Sequence, residues 1–579
     1  MFSGRNRSTC YGPRVHLSAS EPVREPELTL RALASGLAVG ALLCVANLYM
    51  GLKTGIWDSG HVTASILAFA LVSGRLSRLE NNLAQTAACA AGAVPAAAGL
   101  LGAVPALQLL GRTVPGWGVA AWGLSLGILG ILFGAALRRR LLDQEQLPFP
   151  SGAATAEVIE ALHSGGAMAR GRTRALLGGG AIAAVLAWFR DGKPTLIPGS
   201  FALPGRVADV PLDALGIGLS TSPLLWGVGM VVGPQIAFSM LAGAVLGWGV
   251  LARWLVRGPI HVAPNRDAIA SWLSWPGTAL LVGAALIALV QQAGALAGAL
   301  RDLRTVAAER SGARVRAILL GACAALAVVV VGRTVFDLRP IETLLALVCS
   351  VLGASVCARS TGLTDITPLG PVGQLMQAAY GPLAPGRPAI NVAAGSIVAG
   401  DATHTGVLLS SLRVGQAFGA TVQKQVLAAL AGCALGAIVC MSAYGLLVRA
   451  YGLASARLPV PTGIQWKAMG EVVAQGLGAL PPGTLPAVAV ATALGVVLAA
   501  LASTRAGPWL PSPFAMGVGV LVPFDFTLAI VCGALLLTVA ARFRPGAWSQ
   551  HGAVVGAGLI AGESLVGLAA ALLTTLGLL

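Results

Sequence analysis

The sequence predicts an all-α protein, a polytopic membrane helix bundle with broken or re-entrant segments, and three observations predict it. The 579 residues are 56% hydrophobic and only 10% charged, with a mean hydropathy of +0.81, whereas soluble domains carry about a quarter charged residues. Apolar runs near the roughly 20 residues that a bilayer crossing needs follow one another from Leu30 to the end of the chain. Inside those runs lie stretches such as Leu48–Gly60, LYMGLKTGIWDSG, where charge and glycine interrupt a helix that should be continuous. Such interruptions are tolerated in a membrane where the backbone lines a passage for something polar.

The net charge of +16 sits in short loops between apolar runs. That is positive-inside topology and argues against nucleic-acid binding. The 76 glycines suit helices whose backbones approach closely. Nine scattered cysteines with no CxxC pair give neither a disulfide framework nor a thiolate metal site, and no cofactor is expected. Residues 1–29 read as a disordered tail whose lack of an apolar core excludes a signal peptide, and Arg5, Arg7, Arg14, Arg24 and Arg31 around the start of the first span place it in the cytoplasm.

The first half offers spans at Leu30–Met50, Thr54–Gly74, Ala84–Gly111, Trp117–Leu137, Arg174–Trp188, Pro223–Leu251 and Pro276–Leu300, followed by one connecting span at Ala317–Gly332. The second half offers Ile341–Cys357, Thr367–Tyr380, Ala389–Ser411, Val426–Val448, Leu485–Ala502, Pro513–Ala540 and Gly552–Leu578, about 15 in all. Leu147–His163 is too short and polar to cross, and reads as a helix starting after Pro150 that lies between spans or dips partway in. Alternation places the basic loops on the N-terminal side, with Arg301–Arg316 as the exception.

Much of the chain is written twice. Leu147-Pro-Phe-Pro-Ser-Gly152 recurs as Leu458-Pro-Val-Pro-Thr-Gly463, and Ser222-Pro-x3-Gly-Val-Gly229 as Ser512-Pro-x3-Gly-Val-Gly519. Gly243-Ala is matched by Gly533-Ala, Val282–Ala288 by Val555–Ala561, and Gly51-Leu52 by Gly362-Leu363. The expected organisation is a first repeat over 30–300, connecting span and loops over 301–340, and a second repeat over 341–579. By span count the copies are parallel, with a site between them near mid-membrane.

Ionisable groups within spans are the candidates for chemistry, since each charge there costs about 2.5–3.5 kcal/mol on insertion scales. Asn47, Tyr49, Lys53, Thr54, Asp58 and His61 form the first cluster; were the helix continuous beyond Gly55, Asp58 and His61 would share a face. Asp365 lies between glycine and proline breaks in GLTDITPLG. Asp401 and His404 are three apart within GDATHT, deep in an apolar run. Glu157 and Glu160, with His163, lie on the LPFPSG helix, where an interfacial face with its acids in water is the competing reading. Glu563, in Gly562-Glu-Ser564, has no neighbour in sequence and reads as an unpaired carboxylate suited to proton coupling.

LYMGLKTG, the LENN–QT run from Leu79 to Thr86, LPFPSGAATAEVI, the two SP-x3-GVG boxes, Gly400-Asp401 leading to Gly-Ala-x3-Lys-Gln at Gly419–Gln425, and GLIAGES together resemble the oligopeptide transporter (OPT) family. That family includes peptide carriers and yellow-stripe-like carriers of metal chelates. The resemblance runs from Leu30 to Leu579 and implies a secondary transporter of about 16 membrane helices, usually driven by protons. The chain departs from the pattern at Ser411-Leu-Arg-Val-Gly415, where an acid and Lys-Thr-Gly are expected, and at Ser151, where Glu or Gln is common.

The expected function is therefore proton-coupled transport of small peptides or peptide-like metal chelates. Lys53 or Arg413 would meet the substrate carboxylate and Asp365 or Asp401 its amine or metal, with Asn47, Tyr49 and Thr54 alongside. Asp58, His61, His404, Glu157 and Glu563 would carry the proton. The setting would be a bacterial inner membrane with the N-terminus in the cytoplasm. An intramembrane aspartyl enzyme using Asp365 and Asp401, or a passive channel, is the alternative; the first needs no duplicated fold and the second no broken helices.

Overall fold

The computed structural model describes residues 26–55, 57–163, 167–207, 210–212, 216–257, 260, 262–291, 312–364, 367, 369–476, 483–502, 504, 506–576 and 578. In chain order the helices of the first part are α1 (Leu30–Thr54), α2 (His61–Leu71), α3 (Arg78–Ala97), α4 (Ala103–Leu109), α5 (Gly116–Arg138), α6 (Pro150–His163), α7 (Ala167–Asp191), α8 (Pro223–Ala244), α9 (Ala252–Arg257), α10 (Arg266–Gln291) and α11 (Gly312–Val335). The second part contains α12 (Pro340–Thr364), α13 (Leu369–Tyr380), α14 (Pro388–Phe418), α15 (Val422–Tyr451), α16 (Pro461–Gln475), α17 (Thr484–Ala502), α18 (Pro513–Leu521), α19 (Phe524–Phe543) and α20 (Pro545–Thr575). Between α7 and α8 the chain adds two small antiparallel ribbons to the all-α reading, β1 (Ser200–Ala202) with β4 (Gly218–Ser220) and β2 (Arg206–Val207) with β3 (Val210–Pro211).

Among the described residues, nine helical stretches are long and apolar enough to cross a membrane, which makes the chain a polytopic helical membrane protein. Several expected spans are shorter or divided, and the causes are local. Gly55 ends α1 in the left-handed region at φ 74°, and Gly60 opens α2 at φ 69°, so the expected Thr54–Gly74 span shrinks to the 11 residues of α2. The expected Ala84–Gly111 span divides into α3 and α4, and Pro513–Ala540 divides at Val522-Pro523 into α18 and α19. Within α8 the backbone leaves helical geometry at Gly233, directly before Pro234.

At the centre lies α14, buried on every side from Ile390 to Leu412. A helix covered all round belongs in a bundle core, although this one carries Asn391, Asp401 and His404. It packs against α12, α5, α13, α3 and α6.

The sequence repeats meet each other reciprocally. Gly229 packs against the Ile530 carbonyl and Gly519 against that of Met240; Gly243 packs against the Met516 carbonyl and Gly533 against that of Trp226. Exchanging the sequence-matched positions turns each contact into the other of its pair, and at none of the four is there room for a Cβ. The LPxP boxes behave alike. Phe149 and Val460, their third residues, take φ 43° and 42°; Phe149 N–H donates to Gly362 O (2.9 Å) and Val460 N–H to Leu52 O (2.9 Å). Bulky residues in the left-handed region are strained, and each holds the N-terminus of a short helix, α6 or α16, against the C-terminal turn of α12 or α1.

Candidate functional site

Three other helix segments converge on Glu563, in the middle of α20. Lys53, in the last turn of α1, places Nζ 2.9 Å from Oε1. Arg190, near the end of α7, places Nη2 2.9 Å from the same oxygen. The Ser222 hydroxyl contacts both carboxylate oxygens at 2.7 and 2.8 Å, and Leu224 N–H donates to Oε2 at 2.8 Å. Glu563 thus also caps the start of α8 from another helix, where amides lack intrahelical acceptors and the helix dipole favours negative charge. Arg190 makes a second, two-pronged pair with Asp191 at 3.1 and 2.5 Å. The Glu563 side chain has no exposed surface, and those of Lys53 and Arg190 are 7% and 6% exposed. Tyr49 lies 4.9 Å under the Lys53 ammonium and Phe526 at 5.9 Å, and the latter also faces Arg266 at 6.0 Å.

Two cations and two carboxylates balance within this group, and every polar atom of Glu563 is engaged. The expectation of an unpaired carboxylate is therefore corrected. Nothing in the sequence around Glu563 announces partners that lie 510 and 373 residues away.

The second charged region is built differently. Asp401 and His404 sit one turn apart on α14, 2% and 1% exposed. Asp401 Oδ2 accepts from Ser350 Oγ of α12 at 2.9 Å, and His404 Nε2 lies 3.0 Å from Ala90 O of α3. Asp401 Oδ1 and His404 Nδ1 are buried and have no hydrogen-bond partner among the described residues. Gly130 of α5 packs onto the Asp401 carbonyl, leaving no room for a side chain there. A small pocket bounded by Thr86, Ala90, Ile131, His404, Val407, Leu408, Ser411 and Ala429 adjoins the imidazole.

The remaining predicted residues fall elsewhere. Asp58 is exposed in the Gly55–Gly60 break, so it shares no helical face with His61. His61, buried at the start of α2, contacts Ser59 Oγ (2.9 Å) and Val407 O (3.2 Å). Asn47 ties the break down through Asp58 O (2.7 Å), Gly92 O (2.8 Å) and Asp58 N–H (3.3 Å). Thr54 donates to Met50 O at 2.8 Å within its own helix. Glu157 is exposed on α6 and Glu160 pairs with Arg78 (2.8 Å). Arg413 lies near the end of α14, donating to Gln416 at 2.8 Å, and takes no part in the Glu563 group. Asp365 lies outside the described residues.

Arg190, Asp191, Ser222 and Ser350 were missed. Arg190 and Asp191 follow Trp188, the end of an expected span. Ser222 was visible only as the first letter of the SP-x3-GVG box.

Between α5 and α6, Glu145 closes a further pair of contacts. Arg359 of α12 grips both its oxygens at 2.6 Å and Arg140 adds one bond at 2.8 Å. Burial pushes the Glu145 carboxyl up, but the Arg359 and Arg140 guanidiniums more than offset this and hold it below the usual carboxylate range.

Fold and site together define the class: a polytopic α-helical membrane protein that keeps charged groups inside its bundle. A family profile described as OPT oligopeptide transporter protein matches residues 27–574. A putative oligopeptide transporter of Saccharomyces cerevisiae is 24% identical, over 91% of this chain and 91% of its own. A putative oligopeptide transporter of Haemophilus influenzae is 25% identical over 90% of this chain and 91% of its own. A metal-nicotianamine transporter of Arabidopsis thaliana is 23% identical over 95% and 93%. The chain belongs to the OPT oligopeptide transporter family.

Proposed function

We propose that this chain is a proton-coupled secondary transporter that carries small peptides or peptide-like metal chelates across the cytoplasmic membrane. One observation carries the reading: Asp401 and His404 lie in the most buried helix of the bundle, and each leaves one polar atom without a partner among the described residues. A carboxyl and an imidazole are costly in a membrane interior, and a half-satisfied pair is no better as structural glue. Both can take up and release a proton. The names of the relatives, oligopeptide and metal-nicotianamine transporters, support the substrate class.

In this reading Asp401 and His404, one turn apart on α14, take up and release the coupling proton. Lys53 is the cation available to a substrate carboxylate, which would compete with Glu563 for the ammonium while Arg190 keeps Glu563 paired. Proteoliposomes under an imposed pH gradient test the proposal with a panel of di- to pentapeptides and siderophore-like chelates. Uptake of at least one class that collapses with the gradient is expected. No uptake across the panel, or uptake indifferent to the gradient, contradicts it.

A further inference from the structure

The charged groups are not the only buried polar side chains left open. Gln374 and Gln377 of α13, Asn391 of α14 and Trp466 of α16 are 1%, 0%, 0% and 4% exposed. Among the described residues, Gln374 Oε1 and Nε2, Gln377 Oε1, Asn391 Oδ1 and Nδ2, and Trp466 Nε1 have no hydrogen-bond partner. Three are acceptors and three are donors, and none is charged.

They belong to one place. Gln377 Nε2 reaches Trp466 O at 3.4 Å. A Cβ on Gly395 would lie 2.6 Å from Gly373 O, 3.0 Å from Gln377 Cγ and 3.2 Å from the Trp466 ring; one on Gly373 would lie 2.5 Å from the same ring. The indole therefore fills a flat slot between two glycines, on α13 and α14. Gln374 follows Gly373, and Asn391 lies one turn before Gly395. The segment 381–387 links α13 to α14. Trp466 Nε1 comes within 3.2 Å of a Cβ built on Gly102, so the link between α3 and α4 closes the remaining side. Three short helices, α4, α13 and α16, thus meet on the buried α14.

We propose that this cluster is a binding site for the uncharged amide groups of a peptide-like ligand, which enters the slot now filled by the Trp466 indole. The proposal rests on the transport reading above and specifies its substrate recognition. A peptide group is planar and carries one N–H donor and one C=O acceptor, and each of the three carboxamides offers an NH2 and a C=O to pair with them. A site that reads charge needs ions, and these four side chains have none. Burying six such atoms unpaired is unfavourable, and a ligand that pairs with them recovers that loss when it binds. A carboxamide site also discriminates strongly against analogues that cannot hydrogen-bond.

The test uses the full chain in lipid nanodiscs, with tri-alanine and its uncharged form, N-acetyl-tri-alanine amide, as probes. Thermal stability is read with and without probe, and affinity by calorimetry. Gln374→Leu and Asn391→Leu are expected to leave the unliganded melting temperature unchanged or raised, and to weaken both probes at least tenfold. Trp466→Phe keeps an aromatic ring but removes the indole N–H; it is expected to weaken both probes severalfold and, because the smaller ring leaves a void in the slot, to lower the melting temperature. Leucine variants that melt lower yet bind both probes as the wild type does would make the cluster structural and overturn the inference, while leaving the transport reading intact if proteoliposome uptake persists. Wild-type protein that binds neither probe overturns the inference; if the wider uptake panel also fails, the transport reading fails with it.

Discussion

Glu563 and Asp401 are both carboxylates with almost no exposed surface, and the bundle treats them in opposite ways. Glu563 receives two cations, a hydroxyl and a backbone amide. Asp401 receives one hydroxyl and keeps an oxygen without a partner among the described residues. The first is a closed network in which loss of the carboxylate strands the Lys53 ammonium. The second is open, and a proton can still change its state. Burial alone therefore does not identify a working carboxylate; the number of commitments it already has is the better guide.

The comparison breaks most readily at the closed end. Glu563→Gln removes the one carboxylate that Lys53 pairs with among the described residues, while Arg190 retains Asp191. Stranding a buried cation costs about 3–5 kcal/mol, so a large fall in thermal stability is expected, read by fluorescence-detected melting in detergent. Glu563→Gln melting like the wild type would mean that the network contributes nothing. At the open end, Gly130→Ala pushes a methyl against the Asp401 carbonyl and His404 Cβ. Overpacking of this kind costs about 1–3 kcal/mol, and it should shift the pH response of uptake as well as the melting temperature. Asp401→Asn itself is expected to change stability by no more than about 1 kcal/mol, since little is bonded to lose.

The smallest effect is expected at Glu145, a third carboxylate, partly exposed and gripped by Arg359 and Arg140. Its carboxyl is held below the usual range, so its contribution is complete above the unfolded value of about 4.3 and fades as pH falls through the lower folded value. Glu145→Gln should therefore cost less than about 1 kcal/mol near neutral pH. The difference from wild type should vanish in acid, as a pH series of melting curves would show.

Much of this bundle was legible in the chain because its determinants are local. Hydropathy and the LPxP and SP-x3-GVG boxes marked the helices, and the glycines of those boxes became the points where helices touch. Lys53, Asp401, His404 and Glu563 stood out as charges inside apolar runs. What stayed hidden was pairing, which depends on residues hundreds of positions apart: Glu563 read as solitary because Lys53 and Arg190 approach it only in the folded chain. The break at Gly55–Gly60 was visible as composition, but its consequence was not. Left-handed glycines at both ends remove Asp58 from the helix that would have set it beside His61. Asn391, Gln374 and Gln377 carried no signal at all, because an uncharged amide in an apolar helix looks the same in sequence whether or not it is satisfied.

The most direct test of the open-site account is uptake by Asp401→Asn in proteoliposomes, measured with and without an inward proton gradient. The account predicts a folded protein of near wild-type stability whose uptake no longer responds to the gradient. A variant that still concentrates substrate when the gradient is applied, and loses that ability when it is collapsed, would contradict it.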